Sequence, residues 1–188
     1  MGGSAQPSRV VLVRHAHPHS GYGDDHDPGL DDVGREQAAA MARVVGGMDP
    51  RPIAVSPLRR TRETAAALER RWGTAASVEP RVGEIPSPTD ALGERASWLR
   101  SVLRGTWPEQ SAELHHWRDE LLAALRELQR DAVVVTHFVA INVVVGAATG
   151  DPRVTNCMPD YCSQTVVDID GQNVTLVEMG AQASTQIQ

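Results

Sequence analysis

Residues 9–27 read RVVLVRHAHPHSGYGDDHD, and the change from apolar to polar at residue 14 decides the fold. Val10–Val13 is a short Val-rich run without alternation, as a strand buried on both faces requires. It ends on Arg14 and His15, and residues 18–30 read as a loop rich in Gly, Pro and Asp. The pattern recurs downstream. PIAV at 52–55 runs into Ser56-Pro57-Leu58-Arg59-Arg60, and DAVVVTH at 131–137 runs into Phe138. In open parallel sheets ligands sit beyond the carboxyl ends of the strands. Three chemically loaded segments fall there, which predicts a site.

Helical patterns fill the intervals. Asp31 is expected to cap a helix running to about Val45 and closed by Gly46-Gly47. Ser56 is expected to cap a second helix from Pro57 to about Trp72, since Pro suits a first helical turn. Residues 76–80 read as a third strand. An insertion at about 85–108 carries one short helix, 89–105. Residues 109–130 predict a long amphipathic helix with Leu114, Trp117, Leu121, Leu125 and Leu128 inward. A further helix covers Phe138 to Ala148, and TVVDID and NVTLVEM flank a hairpin turn at Gly171-Gln172. Strands alternating with helices imply an α/β fold, a three-layer α/β/α sandwich with a mostly parallel central sheet. The expected organisation is one domain over 9–180, between a disordered N-terminal tail (1–8) and a C-terminal tail (181–188).

Bulk properties narrow the function. The 188 residues suit one domain with a real core, and 41% hydrophobic with 22% charged residues is ordinary for a globular protein. A net charge of −6 and a pI near 5.6 exclude the basic face that nucleic-acid binding needs. No apolar run reaches membrane-span length, and the first residues show neither a signal-peptide nor a myristoylation pattern. Cys157 and Cys162 have no nearby histidine partners and make a poor zinc pair. A reduced, cytoplasmic protein is expected.

His15, His17 and His19 alternate, so they admit a metal reading as well as a solvated one. Against a metal, Ser20-Gly21 stand where the metallo-β-lactamase pattern needs Asp-His, 188 residues are too few for an amidohydrolase barrel, and Pro18 bends the chain. His19 and His26 read as solvated loop residues. His17 is balanced between pocket lining and bystander. The acidic run Asp24, Asp25, Asp27, Asp31 and Asp32 lacks a calcium loop's alternation and reads as turns and a cap.

Five segments in order give a resemblance over about residues 9–180: Arg14-His15-Ala16; Leu30-Asp31-Asp32-Val33-Gly34-Arg35-Glu36-Gln37-Ala38; Ser56 through Arg60 to Thr64-Ala65; Val82-Gly83-Glu84; and Thr136-His137-Phe138. Together they resemble the histidine phosphatase superfamily, branch one, with its phosphoglycerate-mutase-like fold. The resemblance implies a metal-independent phosphomonoesterase acting through a phosphohistidine on a small phosphorylated substrate, with no cofactor. It makes His15 the nucleophile, Arg14, Arg60 and His137 with His15 the phosphate-binding set, and Glu84 the proton donor. His17, Gly21 and Phe138 are expected in the substrate pocket. Arg59 and Arg62 are expected on an ion-paired or solvated helix face.

The sequence also departs from the family. Ala16 and Phe138 replace glycines that usually follow the two histidines. Gly21 stands where phosphoglycerate mutases carry an asparagine, and Ile85-Pro86-Ser87-Pro88 replaces the Glu-Arg pair and tyrosine of mutases. These differences argue for a phosphatase over a mutase. Trp98 and Trp107 in the insertion either stack a substrate or pack the insertion down. Two other functions stay open: a metal-dependent hydrolase built on His15, His17 and His19, and a relative that binds phosphorylated ligands without turnover. Substrate identity and oligomeric state are not legible.

Overall fold

The computed structural model describes residues 7–183. Expectations for the tails therefore fall mostly outside the described residues. The elements run β1 (Ser8–Arg14), α1 (Asp32–Val45), β2 (Ile53–Val55), α2 (Arg59–Trp72), β3 (Ser77–Val78), α3 (Leu92–Arg104), α4 (Ala112–Arg126), β4 (Ala132–Thr136), α5 (Phe138–Thr149), β5 (Gln164–Asp170) and β6 (Asn173–Glu178). The six strands form one sheet in the order β3-β2-β4-β1-β5-β6. β1, β2, β3 and β4 pair in parallel, whereas β5 and β6 are antiparallel additions at one side.

The continuous apolar runs follow from that position. β1 lies between β4 and β5, and Val10–Val13 are at most 3% exposed. Side chains alternate across the sheet. Val10 and Leu12 join a core with residues of α3, α4 and α5, while Val11 and Val13 join a second core with residues of α1 and α2. Two cores on one sheet are the three-layer α/β/α sandwich. Fully burying a Val or Leu contributes about 1.5–3 kcal/mol, so both faces of β1 hold the fold together.

α1 begins as expected: the Asp31 carboxylate accepts from the Gly34 amide at 2.7 Å. Gly34 is a steric requirement, because a Cβ there would come within 2.1 Å of the His17 carbonyl oxygen.

Several expected boundaries shift. Ser8 already opens β1 and is buried, so the chain is ordered one residue before the expected start. α2 begins at Arg59, after Leu58, and the Ser56 hydroxyl does not cap it. The expected 109–130 helix is divided: a 3₁₀ turn at Trp107–Glu109 closes on a Thr106–Glu109 capping box, and Ser111 then caps α4. The third strand shrinks to two residues, and a 3₁₀ turn at Pro80–Val82 follows it. At the other end Gln182 bridges Pro159, so residues 181–183 are tied to the loop before β5. No described helix is long and apolar enough to cross a membrane.

Candidate active site

The ends of β1 and β4 lie side by side, with Arg14 registered against Thr136. This pairing brings His15 and His137 together across 122 positions of sequence, with ring centroids 5.3 Å apart. Arg60, in the first turn of α2, and Glu84, after the 3₁₀ turn, complete the group. Arg60 NH2 stands 3.2 Å from Glu84 Oε2 and 3.4 Å from His137 Nδ1, and Glu84 Oε2 is 3.3 Å from His137 Nδ1. Ligating atoms of His15, Glu84 and His137 all lie within 4.8 Å of one another.

Each head is held from behind. His15 Nδ1 lies 2.8 Å from the Ala16 carbonyl oxygen, an acceptor only, so Nδ1 carries the proton and Nε2 keeps its lone pair. Arg14 donates from NH1 to the Pro159 carbonyl at 2.9 Å, and its buried Nε finds no acceptor among the described residues. The Thr64 hydroxyl accepts from the Ala16 amide and donates to the Arg60 carbonyl, fastening α2 to the loop after His15. The Thr136 hydroxyl donates to the Val82 carbonyl at 2.7 Å, fastening the turn that carries Glu84 to the end of β4.

The electrostatics follow from burial and charge. Burial, with His137, Arg60 and Arg14 nearby, holds His15 well below the usual imidazole range, so it is neutral at pH 7. Burial likewise lowers His137 against the opposing pull of Glu84. For Glu84, burial acts to raise the pKa, but the charges and hydrogen bond offered by His137 and Arg60 outweigh it. The carboxyl is held well below its usual range and is ionised in the free protein. A neutral His137 that donates from Nδ1 to Glu84 leaves Nε2 to accept from the Ser56 hydroxyl, 2.7 Å away.

That contact is what sequence reasoning missed at Ser56. A serine before a helix signals a cap, and nothing local announces a histidine partner 81 positions on. Tyr161 was missed altogether. Its ring lies 3.9 Å beneath the Arg14 guanidinium and 5.8 Å from the His15 ring. The next residue, Cys162, has φ +57° and donates its amide to the Arg14 carbonyl. A non-glycine in that conformation costs on the order of 1 kcal/mol. The turn it makes sets the tyrosine under the arginine. Cys157 and Cys162 are free buried thiols, both pushed up to about 12 by burial.

A cleft opens over the group, lined among others by Arg14, His15, Arg60 and Glu84. Gly21 and Phe138 are among its lining residues. His17 is not: its Nδ1 donates to Asp31 at 2.9 Å and its ring stands edge-on to Tyr161, behind the wall. The expectation of His17 in the pocket is corrected, because Asp31 draws the ring toward α1. His26, expected as a solvated loop residue, lines the cleft instead. His19 leans on the Gly29 carbonyl and Asp25. Among the described residues, His15, Glu84 and His137 form the close donor group that His15, His17 and His19 do not. The Arg60 guanidinium standing against two of those donors repels a cation, so the group fits a metal poorly. Arg59 pairs with Glu63 on the helix surface, as expected. Trp107 is buried and stacks near Trp117, with Trp98 packed on the same core; neither is in the cleft wall.

The family model of the histidine phosphatase superfamily (branch 1) matches residues 10–182. No curated protein matches the chain. Among solved structures, the chain is similar to a mycobacterial glucosyl-3-phosphoglycerate phosphatase complexed with VO3 (25% identity, 94% of this chain and 100% of that one, TM-score 0.69). It also shares its fold with a phosphoserine phosphatase from Entamoeba histolytica in complex with 3-phosphoglyceric acid (18%, 93% and 98%, TM-score 0.74). A third is a putative α-ribazole-5'-P phosphatase from Escherichia coli (16%, 94% and 97%, TM-score 0.70). With a match over nearly its whole length, and five motifs that the fold gathers at one end of the sheet, the chain belongs to branch 1 of the histidine phosphatase superfamily.

Proposed function

We propose that the protein is a metal-independent phosphomonoesterase that works through a phosphohistidine at His15. One observation carries the reading: a neutral histidine with its Nε2 lone pair free, packed among two guanidiniums, a second imidazole and a partly buried carboxylate. A phosphoryl group in transfer spreads negative charge over its equatorial oxygens. Arg14, Arg60 and His137 supply donors for those oxygens, and guanidinium forks match them bidentately. Removing one such preorganised donor typically costs about 3 kcal/mol.

The His15 Nε2 lone pair forms the N–P bond as the ester P–O bond breaks. The leaving oxygen takes a proton from the Glu84 carboxyl. Water then attacks phosphorus, gives a proton to the Glu84 carboxylate, and the N–P bond breaks to release phosphate. Glu84 is ionised in the free protein, so it must gain its proton in the complex. A bound phosphomonoester draws Arg60 and His137 away from Glu84 and places negative charge beside it. Both changes raise the carboxyl pKa and favour protonation.

The test is turnover of p-nitrophenyl phosphate in excess chelator, with trapping of an acid-labile +80 Da adduct (the mass of PO3H) on His15. Turnover that disappears with chelator and returns with zinc would support a metallohydrolase. Ligand-induced stabilisation without phosphate release over hours would support a non-catalytic binder.

A further inference from the structure

The two guanidiniums of the cleft lining, Arg14 and Arg60, stand at its floor with the neutral His15, and the His137 ring lies 5.3 Å from that of His15. The wall above them has a different character: Tyr22, Leu99, Leu103, Phe138, Val139 and Tyr161. Four segments distant in sequence supply it, namely the 18–30 loop, α3, the start of α5 and the loop before β5. Phe138 stands where family members usually have no side chain, and it is buried against the Arg14 guanidinium at 5.4 Å.

The rim brings no guanidinium or ammonium to an anion. Asp25 brings a negative charge. His26 accepts from Arg95 NH1 at Nδ1, 2.6 Å away, which leaves it one N–H at Nε2, and Ser20 adds a hydroxyl. Arg95 lies over the Tyr22 ring at 4.5 Å and is not in the wall. An alcohol bearing a carboxylate or a second phosphate would set that anion against rings, aliphatic carbons and Asp25. An unpaired charge in such surroundings is strongly disfavoured. An apolar or aromatic alcohol removes the same wall from water instead.

We propose, on the basis of the phosphatase reading, that the substrate is a phosphomonoester of an uncharged alcohol with apolar or aromatic surface. The wall of Tyr22, Leu99, Leu103, Phe138, Val139 and Tyr161 selects it against alcohols that carry a second anion.

The test compares three esters of primary alcohols, so that leaving-group chemistry stays similar: 2-phenylethyl phosphate, glycerol 3-phosphate and 3-phosphoglycerate. The expected order of kcat/KM is phenylethyl, then glycerol, then phosphoglycerate, with about 100-fold between first and last. Leu103→Arg, a half-buried position on α3, is expected to raise 3-phosphoglycerate turnover and narrow that gap at least tenfold. A preference below about tenfold in the native protein, or an order reversed in favour of 3-phosphoglycerate, overturns the proposal; loss of such a reversed order in Arg95→Ala would show that Arg95 receives the anion. If no ester turns over, the phosphatase reading fails separately. The wall is then still tested by thermal unfolding. 2-Phenylethyl phosphate should raise the midpoint at tenfold lower concentration than 3-phosphoglycerate, and equal effects would overturn the selection.

Discussion

The floor and the wall of the cleft are built by opposite rules. The floor is polar and deeply buried: Arg14, His15, Arg60 and His137 are all at most 6% exposed, and backbone carbonyls or buried hydroxyls hold most of them. The wall is mainly apolar, half-exposed for the most part, and borrowed from a loop, a helix of the insertion, the start of α5 and a strained turn. A phosphoryl group is the same in every phosphomonoester, so the floor can be rigid and local to strand ends. The alcohol differs from one substrate to another, so the wall comes from segments whose length and composition change without disturbing the sheet.

The sharpest way to break this division is His15→Ala. Loss of the nucleophile is expected to lower kcat by about 10⁴-fold or more on every ester, whatever its alcohol. Residual turnover within tenfold of native would remove His15 from the chemistry.

Glu84→Gln sharpens the division inside the floor. The amide keeps a polar contact to Arg60 but has no proton to give. A drop of about 10²–10⁴-fold is expected on alkyl phosphates. A much smaller drop is expected on p-nitrophenyl phosphate, whose leaving group needs no proton. Equal losses on both would reassign Glu84 to a structural ion pair with Arg60.

Ser56→Ala tests the support beneath His137. It leaves a buried imidazole nitrogen without its partner at a cost of about 1–3 kcal/mol, and an approximately tenfold fall in kcat with little change in KM is expected. Tyr161→Leu probes where floor meets wall. A cation–π contact is worth about 0.5–2 kcal/mol, or roughly 2–30-fold, and its loss should appear mainly in KM, since Leu keeps the wall apolar. A fall confined to kcat would place Tyr161 with the floor instead.

The pH profile gives the smallest effect. On the proposed mechanism His15 attacks in its neutral form, and its pKa is depressed by burial and neighbouring cations. Neutral His15 is therefore fully present at pH 6.5 and is lost only as pH falls through the lowered value. kcat/KM should show no acid limb from His15 near 6.5, and NMR titration of the His15 ring should place its midpoint below that. A midpoint at or above 6.5 would contradict the buried, cation-flanked setting.

Much of the floor was legible because each of its members sits at an element boundary with a local signal. Arg14-His15 ends an apolar run, Arg60 follows a strand and a Ser-Pro start, and His137 ends a second run. The wall was largely illegible. Phe138 and Gly21 were found because they depart from a pattern. Leu99 and Leu103 went unread beside Trp98 and Trp107, which pack the insertion onto the core, one of the two readings given for them. His17, balanced between pocket and bystander, is held by Asp31 at the start of α1.

The sequence by itself determined the alternation of strands and helices, the two-faced burial of β1 and β4, and the Asp31 cap. These depend on periodicity and on contacts a few residues long, which composition and spacing encode directly. Only the tertiary structure decided that Ser56 serves His137 and not a helix end, that Tyr161 lies under Arg14, and that the hairpin joins the sheet with β5 antiparallel to β1. Each of those outcomes is a choice among partners that are equally available to an isolated segment. A hydroxyl has one proton and a ring two faces, and the neighbour that claims them is fixed only when elements remote along the chain pack together.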